Sequence, residues 1–245
     1  MIYFKEETTS TNDDARDQIY AHADVIWAER QSAGRGQRGH SWISGEGLNA
    51  TFSIILEPTF LEANRQFLIS QITALALVDV LVDYGITAKI KWTNDIYVAD
   101  RKIIGVLIEN RLSGSTIARA IIGIGININQ MIFDSSLPNP TSMAVEREEC
   151  AEIPRQEVVE RIFTRLMWWY QKLESGEHAT VEERYRSKMY RLEEPHPFRL
   201  ASGEVARASI EGVAPSGALI LRHENQTTAE YQFKEVEFVI EQRGR

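Results

Sequence analysis

A segment rich in glycine and arginine is the part of this chain whose residue types most clearly suggest chemistry. It reads Gly34-Arg35-Gly36-Gln37-Arg38-Gly39 and matches the pattern GxGxxG. Glycines let backbone N–H groups converge on a ligand, and arginines recognise carboxylates and phosphates. No acidic residue lies between Arg30 and Gly45, although the whole chain carries a net charge of −8, so we expect the positive charge here to be uncompensated. We therefore predict a loop that becomes ordered around a polyphosphate or a carboxylate; the alternative is an ordinary surface turn.

The residues that follow this segment exclude several known nucleotide sites. A Rossmann loop leads into a helix, whereas here Trp42-Ile43-Ser44-Gly45-Glu46-Gly47 leads into a segment of strand-like alternation. A Walker loop needs Gly-Lys-Ser/Thr, which does not follow, and the chain contains neither the HRD nor the DFG motif of protein kinases. The pattern thus indicates an anion-binding loop between strands.

A lysine beside a turn is the second candidate. In the sequence Lys89-Ile90-Lys91-Trp92-Thr93-Asn94-Asp95, strand alternation places the two lysines on one face and Ile90 and Trp92 on the other. A lone lysine at a strand end most often protects a sheet edge. Next to an anion-binding loop, a fixed ammonium can instead stabilise negative charge during acyl or phosphoryl transfer. Lys91 is therefore a candidate catalytic residue.

Composition limits the class of protein. The chain has 245 residues, of which 43% are hydrophobic and 25% charged, as in globular domains. Its acidic excess argues against general binding to nucleic acids or anionic membranes, and no run approaches 18 apolar residues. The single cysteine, Cys150, lies among glutamates and is interpreted as structural or incidental. The five histidines lack zinc-ligand spacing, and the first residues lack a signal peptide, so we expect a cytoplasmic protein.

The elements that position these residues are predicted to form an α+β fold. Alternation predicts strands over residues 24–28, 48–56, 86–92, 102–109 and 116–127, the last three forming an antiparallel meander. Capping residues and helical spacing predict helices after Ser10-Thr11-Asn12 and over residues 62–84, 154–173 and 179–189, with an irregular excursion over 130–153.

Beyond Glu194-Pro195 the helical periodicity ends. Five short β-like runs follow, over residues 198–200, 205–213, 218–222, 229–233 and 236–240. Short strands separated by glycine- and proline-containing turns are typical of a small barrel or sandwich. We therefore predict two domains, residues 1–190 and residues 191–245.

Four blocks, taken together and in this order, resemble the biotin protein ligases. They are Ser10-Thr11-Asn12, the segment from Gln31 to Trp42, Lys91-Trp92-Thr93-Asn94-Asp95 leading to Gly105-Val106-Leu107-Ile108-Glu109, and Gly123-Ile124-Gly125-Ile126-Asn127-Ile128-Asn129. The chain departs from the family pattern at Gln37, His40 and Thr93, where arginine, arginine and proline are frequent. The resemblance covers about residues 5–130 well and the C-terminal region by position and size.

The resemblance implies a fold and a reaction. The fold would be a mixed or antiparallel sheet with helices packed on it, of the class II synthetase type, followed by a small SH3-like β barrel. In the reaction, biotin and MgATP would give biotinyl-AMP and pyrophosphate. A lysine of a biotin carboxyl carrier domain would then take the biotinyl group, without a covalent enzyme intermediate.

The resemblance also assigns roles to individual residues. The catalytic residues would be Lys91, which bridges carboxylate and α-phosphate, and Arg35. The biotin-binding residues would be Ser10, Thr11, Asn12, Gln31, Arg35, Gly36, Gln37 and Lys91. The nucleotide-binding residues would be Arg38, Trp42 and Asn127, with Asp95 as an assistant to Mg²⁺. The alternatives are that Ser10 and Thr11 only cap a helix, that Trp42 is a core aromatic and that Asn127 closes a turn; for Trp92 we favour a place in the core.

Three other functions stay open. The chain could be a lipoate-type ligase of the same fold, or a non-enzymatic module that binds nucleotides or other anions. A transcriptional regulator is disfavoured by the acidic charge and because Ser10 falls too near the start for a preceding DNA-binding domain. We accordingly expect no DNA or membrane partner. The sequence leaves open the acceptor protein and the oligomeric state, a homodimer included.

Overall fold

A mixed seven-stranded sheet forms the larger part of the fold. The structure is a computed structural model, described for residues 1–36, 42, 45–147 and 151–240. Its first sheet has the strand order β1-β2-β3-β7-β6-β5-β4. The strands are β1 (Ile2–Thr8), β2 (Val25–Gln31), β3 (Ala50–Leu56), β4 (Lys89–Lys91), β5 (Asp95–Val98), β6 (Arg101–Ser113) and β7 (Thr116–Ile126). Strand β1 runs parallel to β2 and the other neighbours are antiparallel, so the predicted mixed sheet and the meander are confirmed.

Two strands of this sheet were not predicted. Strand β1 carries the charged run Lys5-Glu6-Glu7, which hides its strand character, and it forms one edge of the sheet. Strand β5 begins at Asp95, the last residue of the predicted turn. Because β5 has only four residues, no alternation long enough to read from the sequence exists there.

Strand β3 shows why alternation here does not mean exposure. All seven of its residues are buried. Phe52, Ile54 and Leu56 belong to the main core, whereas Ile55 joins a small cluster on the opposite face. The period of two therefore separates two buried environments, and polar side chains on the second face mark a functional surface rather than solvent.

Most of the helices cover one face of the sheet, whereas the first helix lies on the opposite face. They are α1 (Thr11–Asp14), α2 (Phe67–Asp83), α3 (Met143–Glu146), α4 (Arg155–Glu174) and α5 (His178–Ser187). The helix predicted from residue 62 begins only at Phe67, because a 3-10 turn over Ala63–Arg65 precedes it. The helix predicted after Ser10 is a single turn. Residues 63–83 have the length and mean hydropathy of a membrane span, but 67% of that window is buried within the protein, as in a core helix.

A second, antiparallel sheet contains the C-terminal strands. They are β8 (Pro195–Leu200), β9 (Val205–Val213), β10 (Leu219–His223), β11 (Thr228–Tyr231) and β12 (Val236–Phe238), in the order β11-β10-β9-β8-β12. This agrees with the five predicted runs. The indole N–H of Trp92 donates to the Gly217 carbonyl at 2.9 Å, so the second sheet contacts the turn after β4. The division at residues 190 and 191 stays a prediction.

Candidate active site

Glycines on adjacent strands form the floor of a cleft of about 460 Å³ on the sheet face opposite helices α2, α4 and α5. In the sheet register, Gly125 of β7 lies between Thr51 of β3 and Gly105 of β6, and Gly123 lies between Ser53 and Leu107. Residues directly opposite one another in neighbouring strands share a face. Three positions on that face therefore lack side chains, which leaves room for groups brought from elsewhere.

The side chain of Asn12 fills the space above Gly123. A Cβ atom at Gly123 would lie only 2.3 Å from Asn12 Oδ1, so the close approach requires glycine at this position. Asn12 Oδ1 lies 2.7 Å from Ser53 Oγ, and Asn12 Nδ2 donates to Glu109 Oε2 at 3.0 Å. The carboxylate of Glu109 accepts only, so it fixes which end of the Asn12 amide faces Ser53.

Gln31 joins the end of β2 to the start of α1. Its Oε1 accepts a hydrogen bond from the backbone N–H of Thr11 at 2.8 Å and one from the Thr11 hydroxyl at 3.2 Å. The hydroxyl of Ser53 lies 2.7 Å from that of Thr11. Ser10 precedes α1 and is buried, yet its side chain makes no capping bond, so Ser10 is not the side-chain cap considered above. These groups form one polar cluster at the end of the cleft.

Acidic side chains compensate Arg35 of the glycine-rich segment and Arg30, which precedes it. Arg35 Nη2 donates to Asp13 Oδ1 at 2.7 Å and lies 3.8 Å from Glu109 Oε2. Arg30 pairs with Glu7 at 2.5 Å. The expectation of uncompensated positive charge is therefore wrong for these two arginines. Their partners come from α1, β1 and β6, which are distant in sequence and close in the fold.

The indole of Trp42 covers the next part of the floor. A Cβ atom at Gly125 would lie 2.2 Å from Trp42 Cε2, and one at Gly105 would lie 2.9 Å from Trp42 Cζ3. Trp42 Nε1 is buried and meets no hydrogen-bond partner within the described part of the chain. A buried donor without a partner costs free energy, and a ligand carbonyl or phosphate oxygen in the cleft could remove that cost.

Two further cations line the cleft. Lys102 Nζ lies 5.9 Å from the ring centroid of Trp42 and forms an ion pair with Asp95 Oδ1 at 2.8 Å. Lys91 is half-buried at the end of β4, opposite Asp95 in the register, with its Nζ 5.1 Å from the ring centroid of Tyr97. Burial raises the pKa of the Tyr97 hydroxyl well above its usual range, and the neighbouring Asp95 acts in the same direction. Tyr97 is thus a neutral ring beside Lys91.

Asn127 connects the cleft to the segment that follows β7. Its Nδ2 donates to the Thr141 carbonyl at 2.9 Å, and its backbone carbonyl accepts from the N–H of Met143 at 3.1 Å. These bonds hold the irregular segment after β7, which includes Phe133 and Pro140, against the cleft. The hydrogen bond to Thr141 spans 14 positions rather than closing a turn, so Asn127 anchors this segment, and its side chain also lines the cleft.

The cleft gathers the predicted site residues from all four sequence blocks. Those that line it are Ser10, Thr11, Asn12, Gln31, Arg35, Gly36, Trp42, Lys91, Asp95 and Asn127. Gln37 and Arg38 of the glycine-rich segment lie outside the described residues, as does Cys150. Trp92 is buried in the core cluster, as predicted, and one side of it reaches the cleft.

Several residues of the site were missed. Ser53 and Thr51 could have been found, because alternation in β3 sets them opposite the apolar residues. Lys102 gives no local signal, since its importance comes from Asp95 and Trp42. The residues Phe233, Val236, Glu237 and Phe238 line the cleft from the second sheet, and no sequence pattern predicts how that sheet docks.

Comparison with known proteins now places the chain in a family. Residues 1–127 match the model of the biotin/lipoate A/B protein ligase family. A biotin--[acetyl-CoA-carboxylase] ligase of Paracoccus denitrificans is 30% identical over 223 residues, which are 88% of this chain and 91% of that protein. The chain belongs to the biotin/lipoate A/B protein ligase family. The prediction of a ligase from the four blocks is therefore confirmed.

Two further proteins extend the likeness. The bifunctional ligase/repressor BirA of Escherichia coli is 28% identical over 88% of this chain and 67% of its own length. The solved structure of a biotin protein ligase from Aquifex aeolicus, in complex with biotin and ATP, superposes with a TM-score of 0.80 at 24% identity. It covers 96% of this chain and 97% of that one, which confirms the predicted fold.

Proposed function

We propose that this ligase activates biotin with MgATP and transfers the biotinyl group to a lysine of a biotin carboxyl carrier domain. The observation that carries the proposal is that a single cleft gathers residues from all four sequence blocks. Its volume, about 460 Å³, is within the range of sites for small ligands. The name of the Paracoccus relative supports biotin as the acid to be activated.

The polar cluster at one end of the cleft suits the ureido head of biotin. A ureido group has one carbonyl acceptor and two N–H donors, so it needs both kinds of partner. The hydroxyls of Ser10 and Thr11 and the amide of Asn12 can supply them, while Gln31 orients Thr11. Because these groups are buried and already oriented by one another, little ordering is needed when the ligand binds.

The cations suit the other end of the ligand. In the first step, a carboxylate oxygen of biotin attacks the α-phosphorus of ATP, the bond to the β-phosphate oxygen breaks, and pyrophosphate leaves. Negative charge accumulates between the carboxylate and the α-phosphate, where Lys91 is proposed to neutralise it. Arg35 would leave its partners Asp13 and Glu109 and bind the anionic groups of the ligand instead. Gln37 and Arg38 are proposed to bind the same anionic groups.

The remaining assignments concern the nucleotide and the second step. Trp42, with its buried indole N–H, and Asn127 would contact the adenylate. In the second step the amine of the acceptor lysine attacks the acyl carbon, AMP leaves with the bonding electron pair, and the amine loses a proton. A closed cleft would protect the mixed anhydride from water until that amine arrives.

Mg²⁺ is proposed to enter with ATP rather than with protein ligands. No group of three His, Cys, Asp or Glu side chains that could hold a metal occurs among residues 1–36, 42, 45–147 and 151–240. Asp95, the predicted assistant, is already paired with Lys102. Magnesium commonly takes most of its ligands from phosphate and water, so we treat MgATP as the substrate.

We also infer that the reaction takes place in the cytoplasm.

Two measurements test this function. Isothermal titration with biotin and with lipoate should show binding of biotin and none of lipoate at the same concentration. Incubation with biotin, MgATP and a carrier domain should then label one lysine of that domain, and a carrier with this lysine changed to arginine should stay unlabelled. Binding of lipoate alone would favour the lipoate-type ligase, and binding without labelling would favour the non-enzymatic module.

A further inference from the structure

The ring of Phe238, in the second sheet, lies over the side chain of Lys91 in the first. Lys91 Nζ is 5.1 Å from the ring centroid of Phe238, the same distance as from that of Tyr97. A cation within about 6 Å of a ring centroid, over its face, is attracted by the ring quadrupole. Two rings, one from each sheet, therefore attract the same ammonium.

Phe238 is held in place by a chain of aromatic contacts that joins the two sheets. It pairs with Phe198 across β8 and β12, with ring centroids 5.1 Å apart. On its other side the ring of Tyr190 is 6.0 Å away, and Tyr190 in turn lies 5.7 Å from Tyr97. The rings around Lys91 thus support one another rather than moving independently.

Polar contacts fix the backbone next to Phe238. Arg191 Nη1 donates to the carbonyl of Val239 at 3.0 Å. Arg191 Nη2 lies 3.4 Å from Asp100 Oδ1, which also accepts a hydrogen bond from the hydroxyl of Tyr190. Asp100 lies between β5 and β6 of the first sheet, so these bonds set the end of β12 relative to β4 and β5.

The rings offer Lys91 a kind of contact that a carboxylate does not. An aromatic ring attracts a cation without a net charge of its own, so the two ring contacts position the ammonium without adding negative charge beside it. Tyr97 stays neutral because burial raises the pKa of its hydroxyl, as described above. This arrangement suits a lysine whose work is to neutralise charge that develops on a ligand.

We propose that Phe238 is a positioning residue for Lys91, which makes the second sheet part of the catalytic machinery. The proposal rests on the proposed function, in which Lys91 stabilises the charge formed during biotin activation. It predicts that the aromatic character of residue 238 matters to the chemical step, beyond the apolar volume that the side chain contributes to packing.

The test compares variants that change the ring and the packing separately. Phe238→Leu removes the ring and keeps apolar bulk, and Phe238→Tyr keeps the ring. A trifluorinated phenylalanine at position 238 keeps the shape and weakens the quadrupole. Leu221→Ala is the matched control: Leu221 is buried in β10, which β9 and β8 separate from β12, so the substitution loosens the same sheet away from Phe238 and Lys91. The measurements are kcat and KM for biotin-dependent pyrophosphate release by the full chain.

We expect Phe238→Leu and the fluorinated variant to lower kcat, the former about tenfold, with smaller changes in KM. Phe238→Tyr should retain kcat, and Leu221→Ala should lower the melting temperature while retaining kcat. Wild-type kcat in both Phe238→Leu and the fluorinated variant would overturn the proposal, as would an equal loss of kcat in Leu221→Ala.

A second readout does not depend on catalysis. The resonance of Lys91, isotopically labelled at Cε and assigned with Lys91→Arg, should be displaced by ring currents. Phe238→Leu should shift this resonance, and Phe238→Tyr and Leu221→Ala should not. An unchanged resonance in Phe238→Leu would overturn the proposal even if the wild-type chain activates biotin. Conversely, a shifted resonance in a chain that releases no pyrophosphate would contradict the proposed function and leave the ring contact established.

Discussion

Gly125 of β7 lies so close beneath the indole of Trp42 that a Cβ atom at position 125 would be 2.2 Å from Trp42 Cε2. The contact joins the floor of the cleft to the segment that contains Arg35. Any side chain at position 125 must therefore displace Trp42, and with it part of the wall proposed to bind the nucleotide.

We expect Gly125→Ala to weaken ATP-dependent formation of biotinyl-AMP by about tenfold or more, since overpacking costs about 1–3 kcal/mol. Titration calorimetry with biotin and then with ATP measures the effect. The double variant Gly125→Ala/Trp42→Ala should lose less than the sum of the two single variants, because the clash no longer exists. If the losses of the two single variants add up to that of the double variant, the clash with Trp42 is not the cause of the Gly125→Ala effect.

The pair formed by Asn12 and Glu109 leads to a second prediction. Glu109→Gln removes a charged acceptor and allows the Asn12 amide to reverse, so biotin binding should weaken by about tenfold, the order of one hydrogen bond to a charged group. Arg16→Gln is the matched control, because Arg16 contacts the same carboxylate from the exposed side. A surface ion pair contributes little free energy, so Arg16→Gln should weaken biotin binding by less than about threefold. If titration calorimetry shows that Glu109→Gln and Arg16→Gln weaken biotin binding equally, the prediction is wrong.

Arg119 provides a prediction about stability. Its buried guanidinium donates to the carbonyls of Ala15, Asp17 and Tyr20, which follow α1, at 2.8–3.2 Å. Arg119→Met would leave these carbonyls without that donor and should lower the free energy of unfolding by about 3 kcal/mol.

The control for Arg119 is its cross-strand neighbour. Arg111 lies opposite Arg119 in the register and is exposed, so Arg111→Met should change the unfolding free energy by less than about 0.5 kcal/mol. Urea denaturation followed by circular dichroism measures both variants. Similar destabilisation by the two substitutions would show that the carbonyl contacts of Arg119 are not what stabilises this region.

Lys91 and Lys89 lie on the same strand face, two residues apart, and form a matched pair. Lys89 is exposed, whereas Lys91 is half-buried in the cleft. Lys91→Ala should lower the rate of biotinyl-AMP formation at least about 100-fold, a loss of about 2.7 kcal/mol. Lys89→Ala should change that rate less than twofold, roughly the limit for a distant surface charge. Near-normal turnover by Lys91→Ala would refute its role.

The sequence was sufficient to predict those parts of the site that depend on local pattern. The strand that carries Lys91 was predicted with the correct face, because alternation depends only on neighbouring residues. Gly105, Gly123 and Gly125 were recognised only as parts of the blocks that resemble the family, and their close contacts with Trp42 and Asn12 were not predicted.

Contacts between distant segments could not be predicted in this way. Arg35 was expected to lack acidic neighbours, yet Asp13 and Glu109 face it, because charge along the chain says little about charge in space. Phe238 lies about 150 residues from Lys91 and reaches it only through the docking of the second sheet. Local periodicity contains no information about such docking, which depends on the packing of complete elements.

The cleft is proposed to make an activated biotin from MgATP, and pyrophosphate release measures this activity most directly. With no acceptor protein present, the wild-type chain should release a burst of about one pyrophosphate per protein molecule, only when biotin is added, because the adenylate stays bound. Release that does not depend on biotin, or no release at all while biotin and ATP both bind, would contradict the account.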